Sequence, residues 1–296
     1  MSTSRTVVQS VLSVEQDEGV GARVRRSIGR PELRSCDPFL MLDEFDIGGK
    51  GGFPDHPHRG FETVTYVLEG ESYHEDFAGH KGRLGPGDLQ WMTAGRGIVH
   101  GEMPKPGVRS RGLQLWVNLP AKDKMCEPAY QELRDADVPR VQVPGGGGTV
   151  KVIAGESFGT SSPVSTRTPI MYLDAQIKPG TSLFHEIPSS YRGFIYVLTG
   201  TAKFGGTRSP AHTTLVLSDP KNEDGVTGVR VEVPEGEEMC HYVVVAGEPI
   251  NEPIVQHGPF VMNTEEEIQR TMWDYQLKTN GFERAKGWKS SIRSMK

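Results

Sequence analysis

Apolar residues in this chain come in short runs that end at glycine and proline. Val64 to Leu68 stops at Glu69-Gly70, and Gly85-Pro86-Gly87-Asp88 precedes the next run, Leu89 to Met92. Leu113 to Leu119 alternates apolar and polar positions as a half-buried strand does. The same grammar resumes later at Val150 to Ala154, Ile170 to Ile177, Gly193 to Leu198 and Tyr242 to Val245. Strand, tight turn and strand, without a helical period, predict an antiparallel sandwich or jelly roll. Nearer the N-terminus, residues 3–14 read as a strand, Glu15 to Glu18 as an acidic turn and Asp37 to Phe45 as a further strand. Gly48-Gly49-Lys50-Gly51-Gly52 reads as a flexible loop. A helical period emerges near the C-terminus, over about 265–279. Thr264 with Glu267 makes a capping box, Ile268, Met272 and Tyr275 form a stripe, and Asn280-Gly281 closes the helix. Such a stripe is a packing face, expected to lie on the barrels.

Between residues 125 and 150 the composition changes. Lys122 to Asp137 is charged, with room for short helical turns, Pro139 and Pro144 interrupt it, and Gly145 to Gly148 is a run of glycine. No Gly-Lys-Ser/Thr follows, so this run reads as a tight hairpin and not a phosphate cradle. The expected division is 1–135, 136–264, and a helix and tail over 265–296. A faint repeat links the halves: Arg59-Gly-Phe with Tyr66-Val-Leu-Glu-Gly echoes Arg192-Gly-Phe with Tyr196-Val-Leu-Thr-Gly.

Composition fits this picture. The 296 residues include 36 glycines and 21 prolines, with 35% hydrophobic content, as a turn-rich β protein requires. Cys36, Cys126 and Cys240 are too few and too scattered for a disulfide framework or a thiolate zinc site, which places the protein in a reducing compartment. No apolar run is long enough for a signal h-region or a membrane span, so a soluble intracellular chain is expected, read as a monomer. A net charge of -5 gives no global basis for direct nucleic-acid binding. Against that acidic background Arg23, Arg25, Arg26, Arg30 and Arg34 form a basic segment. It is either a solvated strand edge or a docking surface for an acidic partner, since guanidinium forks pair with carboxylates.

Candidate chemistry concentrates between Phe53 and Met103, where five of the nine histidines lie. His56 and His58 are separated by one residue, as are His100 and Glu102. On strands, such spacing sets both members of a pair on one face, and pairing of the two strands brings four donors together. Imidazole and carboxylate without cysteine suit a divalent first-row metal, and fewer than six protein ligands leave open positions. Glu62 competes with Glu102 for the carboxylate role, because it stands on the parity of His56 and His58. His74 and His80 lie in a polar hairpin segment and read as surface residues, not ligands. Phe53 and Phe61 flank the pair as pocket or core residues, the small residues from Thr93 to Gly97 fit backbone passing close to a neighbour, and Gln114 is a candidate pocket wall.

The run His56-Pro-His-Arg-Gly-Phe-Glu62, with Pro86-Gly-Asp-Leu-Gln-Trp-Met-Thr-Ala-Gly-Arg-Gly-Ile-Val-His-Gly-Glu102, resembles the signature of the pirin family. The likeness extends to Glu18 through Leu33 and to His257 through Ile268, and fits the eukaryotic branch. It implies an all-β chain of two stacked cupin (jelly-roll β-barrel) domains with a short C-terminal helix. It also implies one mononuclear iron (Fe2+/Fe3+) in the first cupin, held by the positions matching His56, His58, His100 and Glu102. On this resemblance Glu102 is the carboxylate, and Glu62 either backs the ligands or sits on the strand face. Aligning the repeat sets Glu186 and Pro188 opposite His56 and His58, so the second copy lacks the pair and one metal per chain is expected. The implied activity is quercetin 2,3-dioxygenase-type oxidation of a flavonol, with Glu102 as the catalytic proton acceptor. The alternative is an iron-dependent redox-sensing regulator that only binds protein partners. The resemblance implies transcription co-regulation in nucleus and cytoplasm through Rel/NF-kappa-B-type factors and a nuclear factor I partner; the basic segment is the feature that favours it, with Arg23, Arg25 and Arg26 as the docking residues.

Overall fold

The computed structural model describes residues 3–220 and 227–294, and within them the chain folds into two compact units, each built mainly of antiparallel strands. One unit takes Val14–Arg26, Phe39–Asp135 and the C-terminal stretch from Ile250; the other takes the N-terminal stretch to Ser13, Ser27–Pro38 and Ala136–Pro249. The chain termini are thus exchanged relative to a division by sequence order. The strand Val7–Leu12 pairs with Thr213–Leu217, and the helix at the C-terminus packs with the residues of the first barrel.

In the first unit the strand Phe39–His58 organises the sheet. Its first half pairs with Ser110–Asn118, Leu42 opposite Leu115, and its second half with Ile98–Pro104, His56 opposite His100. One continuous strand therefore serves two ladders. The glycine run at 48–52, expected as a flexible loop, lies inside this strand. Glycine is needed there for close approach: a Cβ on Gly51 would stand 2.4 Å from the Gly21 carbonyl oxygen, and one on Gly52 2.6 Å from Met103 Sδ. The acidic segment is not a turn either. Val14–Glu18 is a strand that pairs with Val20–Ile28, bringing Glu15 opposite Arg25 and Asp17 opposite Arg23, because opposite charges facing across a ladder attract. Tyr73 to Arg83 forms the expected hairpin, Ser72–Asp76 with Lys81–Leu84.

The helix Glu265–Leu277 has its capping box: Thr264 accepts from the Glu267 N–H and the Glu267 side chain accepts from the Thr264 N–H. Ile268, Met272 and Tyr275 pack with Phe260 and Phe282, so the predicted stripe is its buried face. Lys278, in the left-handed conformation, ends it earlier than Asn280.

The second unit repeats the architecture. The strands Gly148–Ala154, Ile170–Ile177, Cys240–Gly247 and Arg192–Thr199 are neighbours in one sheet, and the glycine run turns the Arg140–Val143 and Gly148–Ala154 hairpin. Val150, Val152, Leu173, Ala175, Ile195, Val197, Tyr242 and Val244, alternate positions on their strands, face one core with Val229 and Val231. His185 lies fully buried beside that core, its Nε2 2.8 Å from Tyr242 Oη, and burial brings its pKa down to about 4.

This makes the second unit sensitive to acid. The unfolded chain takes a proton at His185 near pH 6.5, whereas the folded chain resists it until about pH 4. The folded state therefore loses stability as pH falls through that window, by up to about 1.4 kcal/mol per pH unit for one group. Chemical denaturation of His185→Phe between pH 7 and pH 4 is expected to give a shallower fall than wild type, and equal slopes would refute the assignment.

Candidate metal centre

Pairing of the second half of Phe39–His58 with Ile98–Pro104 sets Ile98 opposite His58 and His100 opposite His56. Residues directly opposite in an antiparallel ladder face the same side, so three imidazoles converge from two strands. Their donor nitrogens all lie within 4.8 Å of one another, with ring centroids 4.4–5.0 Å apart. Among the described residues this is the one such cluster of histidine, cysteine and carboxylate donors.

The ladder shifts register between His100 and Glu102, which faces Phe53. A bulge of this kind re-aims a side chain. Glu102 Oε2 comes to 4.0 Å from His100 Nε2, and Glu102 stands beside the compact set of three, not inside it. Thr65 Oγ1 lies 2.9 Å from Glu102 Oε1 and 2.7 Å from Gln114 Oε1. A hydroxyl has one hydrogen to donate, so both contacts hold when the Gln114 amide is turned to present its NH2 to Thr65, which then donates to Glu102. Gln114 is thus part of the wall, acting on Glu102 through Thr65.

Glu62 occupies the other face. Strand Phe61–Glu69 alternates, and Thr65, the residue that reaches Glu102, is odd in the numbering where Glu62 is even. The Glu62 carboxylate instead accepts from Thr93 Oγ1 at 2.6 Å. The parity that links Glu62 to His58 in the sequence is broken at Arg59-Gly60, where one strand ends and the next begins at Phe61. Phe61 is fully buried and meets the His58 ring edge-on at 5.2 Å, with Trp116 on the same ring at 5.4 Å. Phe53 packs with Ala22, Val24, Phe45 and Ile47.

His74, expected at the surface, is buried: its strand pairs with Ile98–Pro104, setting His74 opposite Glu102, and its Nε2 is 2.8 Å from Glu132 Oε1. The polar segment around it gives no hint of this, because the burying strands are remote in sequence. His80 is exposed, with Nδ1 2.9 Å from Asp76 Oδ2.

The donor chemistry fits a metal ion. Both ring nitrogens of His100 are buried without a hydrogen-bond partner, and neither nitrogen of His58 makes a well-formed bond. Groups of that kind cost about 1–3 kcal/mol each when left orphaned, and an ion that takes up the lone pairs offsets the cost. His56 Nδ1 is 2.8 Å from the Pro54 carbonyl oxygen, so it donates there and leaves Nε2 as the free lone pair. Burial, and then the His100 ring, holds His56 down to about 4. Burial, followed by His74, holds His100 down to about 3, and burial keeps His58 well below its ordinary value. All three rings are therefore neutral, the form that ligates. The arginines lie elsewhere in the unit: Arg23 and Arg25 bond Glu15 at 2.8 and 3.0 Å, while Arg26 bonds Glu18 at 2.9 Å and Asp43 at 2.7 Å.

Two β-barrel units, one of them carrying a three-histidine cluster, define a two-domain cupin. The pirin family model matches residues 21–117, and the model for the pirin C-terminal cupin domain matches residues 172–281. Human Pirin is 53% identical over 297 residues, covering 99% of each chain. A Pirin-like protein of Solanum lycopersicum is 53% identical over 292 residues, covering 98% of this chain and 97% of its own. A crystal structure of quercetin 2,3-dioxygenase from Acinetobacter baumannii superposes with a TM-score of 0.82 at 30% identity, covering 93% of this chain and 98% of that one. The chain belongs to the pirin family.

With all three rings neutral, binding of a divalent ion releases almost no proton between pH 6 and 7. Calorimetric titration of the apo-protein in buffers of different ionisation enthalpy is expected to give the same heat per site, for one site per chain. His56→Ala and His100→Ala are expected to abolish that site, because each removes one of very few ligands. Undiminished binding by either variant would refute the assignment.

Proposed function

We propose that this protein is an iron-dependent dioxygenase of the quercetin 2,3-dioxygenase type, acting on a flavonol. The observation that carries the reading is the set of three neutral, converging imidazoles beside Glu102, two of them buried with unbonded nitrogens, in a fold shared with a quercetin 2,3-dioxygenase. His56, His58, His100 and Glu102 would hold one iron, which supplies Lewis-acid and redox chemistry toward a flavonol and oxygen. The chain's own residues do the rest. Glu102, with Oε1 held by Thr65, is the group that would take the flavonol hydroxyl proton at Oε2, before or instead of ligating. Phe61 and Trp116 fix the His58 ring from two sides and exclude water from it. Nitrogen and oxygen donors without sulfur suit iron, as they suit other redox-active first-row metals, and iron is the choice taken from the family resemblance.

Oxygen uptake on quercetin by the iron-loaded protein tests the reading, and iron-replete protein that consumes no oxygen would overturn it. Glu102→Gln is expected to lower turnover by about a hundredfold, the scale of a general base, and to weaken iron retention. Glu62→Gln is expected to change either quantity far less than Glu102→Gln, because the Glu62 carboxylate is turned to Thr93 on the opposite face. The reverse order would make Glu62 the operative carboxylate.

A second reading, regulation through a Rel/NF-kappa-B-type transcription factor in nucleus and cytoplasm, is favoured by the state of the arginine strand. The side chains of Arg23 and Arg25 are 61% and 37% exposed, and their pairs with Glu15 are surface ion pairs, worth about 0–1 kcal/mol. Exchange of such pairs for carboxylates of a partner costs little. Arg26 differs: its side chain is 19% exposed against an Asp43 that is 5% exposed, so it is committed to the fold. Docking then rests on Arg23 and Arg25. Reversing both to glutamate is expected to weaken the complex, with an effect that shrinks as salt rises past the ~8 Å screening length at physiological ionic strength, while iron content stays unchanged. Double variants that bind such a factor as well as wild type would remove this reading.

A further inference from the structure

The residues next to the ligand histidines in the chain are held by a segment that contributes no ligand. Asp55, beside His56, accepts from Ser290 Oγ and, at 3.1 Å, from the Ser290 N–H. Arg59, beside His58, is 1% exposed and donates to Arg96 O at 2.7 Å, Thr271 Oγ1 at 3.2 Å, Asp274 Oδ2 at 2.9 Å and Asn280 O at 2.5 Å, with its guanidinium 4.7 Å above the Phe282 ring. Its backbone is bracketed as well, the N–H donating to Pro259 O at 3.4 Å and the carbonyl accepting from the Val261 N–H at 3.0 Å. On the approach to His100, a Cβ on Gly97 would meet the Phe282 ring at 2.9 Å, and a Cβ on Gly281 would meet Arg96 O at 2.4 Å. Apart from Arg96, these partners lie in residues 259–290, the connector and helix that return to the first barrel after the second is complete.

We infer that residues 259–290 are the positioning element of the metal centre, with Asp274 and Ser290 acting on the ligands through Arg59 and Asp55. The inference rests on the reading that the three histidines hold a metal. A buried guanidinium with four acceptors and a ring beneath it is a rigid post, and only one peptide separates it from His58. The Ser290 contact fixes Asp55 in the same way on the His56 side. Had the segment served only to cover apolar surface, the contacts at these flanking positions would not need to be charged, multidentate and directed. The strap places such contacts beside two ligands and close packing before the third.

The test uses the full chain loaded with cobalt(II), whose visible spectrum reports ligand geometry. Asp274→Asn and Ser290→Ala are expected to shift that spectrum and to speed cobalt release to a chromogenic chelator by about tenfold, the lower end of what loss of outer partners costs a metal site. Ser290→Thr, which keeps the hydroxyl, is expected to restore the wild-type spectrum. Thermal unfolding of the apo-proteins separates loss of fold from loss of positioning: Ser290→Ala is expected to unfold with wild type when metal-free and below it when loaded. Variants that lower the apo midpoint yet keep the wild-type spectrum and release rate would overturn the inference alone. Wild-type protein that takes up no cobalt would overturn the reading of the site, and the inference with it.

Discussion

Everything at the centre depends on one ladder, the pairing of Phe39–His58 with Ile98–Pro104. It sets His100 across from His56, and the bulge that follows brings Glu102 to the edge of the cluster. A slip of one residue would turn His100 away from the partner pair, since side chains alternate between faces. The register is held from both sides. Ser72–Asp76 pairs with the outer edge of Ile98–Pro104, and the other half of the long strand is fixed by Ser110–Asn118. Burial then drives the rings neutral, so the scaffold that aligns the donors also sets their protonation.

Local alternation made much of this legible. His-x-His and His-x-Glu are two-residue periods, and a period of two on strands fixes a face without knowledge of the fold. The glycine and proline turns delimit most strands for the same reason, and the capping box marks the helix start. Long-range contacts decide the rest. Gly51 and Gly52 look like a loop because glycine is the usual loop residue, yet here the missing side chains admit Gly21 and Met103. Glu15 to Glu18 looks like a turn until the arginine strand lies opposite. Parity fails for Glu62 because it cannot be carried across a strand break, and the sequence does not mark Arg59-Gly60 as one.

The C-terminal segment divides in the same manner. The stripe at Ile268, Met272 and Tyr275 reads directly as a buried face, since helical spacing is local. Its burial against residues of the first barrel, after a whole second barrel has intervened, depends on the path of the chain. Lys124 ties the arrangement from beneath. Its ammonium, buried and held down to about 8 by desolvation, reaches Gly60 O at 2.8 Å, Asn118 Oδ1 at 2.6 Å and Val261 O at 3.3 Å. A buried lysine is tolerated when its donors are met by oxygen, and here those oxygens belong to the end of the ligand region, the end of the strand Ser110–Asn118 and the returning segment. A charged residue in a run of polar ones shows none of this in the sequence.

The second barrel shows what the first would be without its ligand pair. The strand Thr181–Glu186 is its candidate counterpart by the Tyr-Val-Leu repeat, and His185 points inward from it while Glu186 is exposed. The inward histidine has no second imidazole across the ladder; its strand pairs with Thr227–Val233, and Val229 stands opposite. Its Nε2 meets a tyrosine hydroxyl instead, and burial alone keeps the ring neutral. Neutrality is therefore not what distinguishes the metal-ready site, because burial supplies it in both barrels. The difference lies in the register partner: histidine across from histidine leaves lone pairs converging on a common point, whereas valine across from histidine leaves a single ring, with Nε2 on a hydroxyl and a lone unbonded Nδ1 that no second imidazole joins.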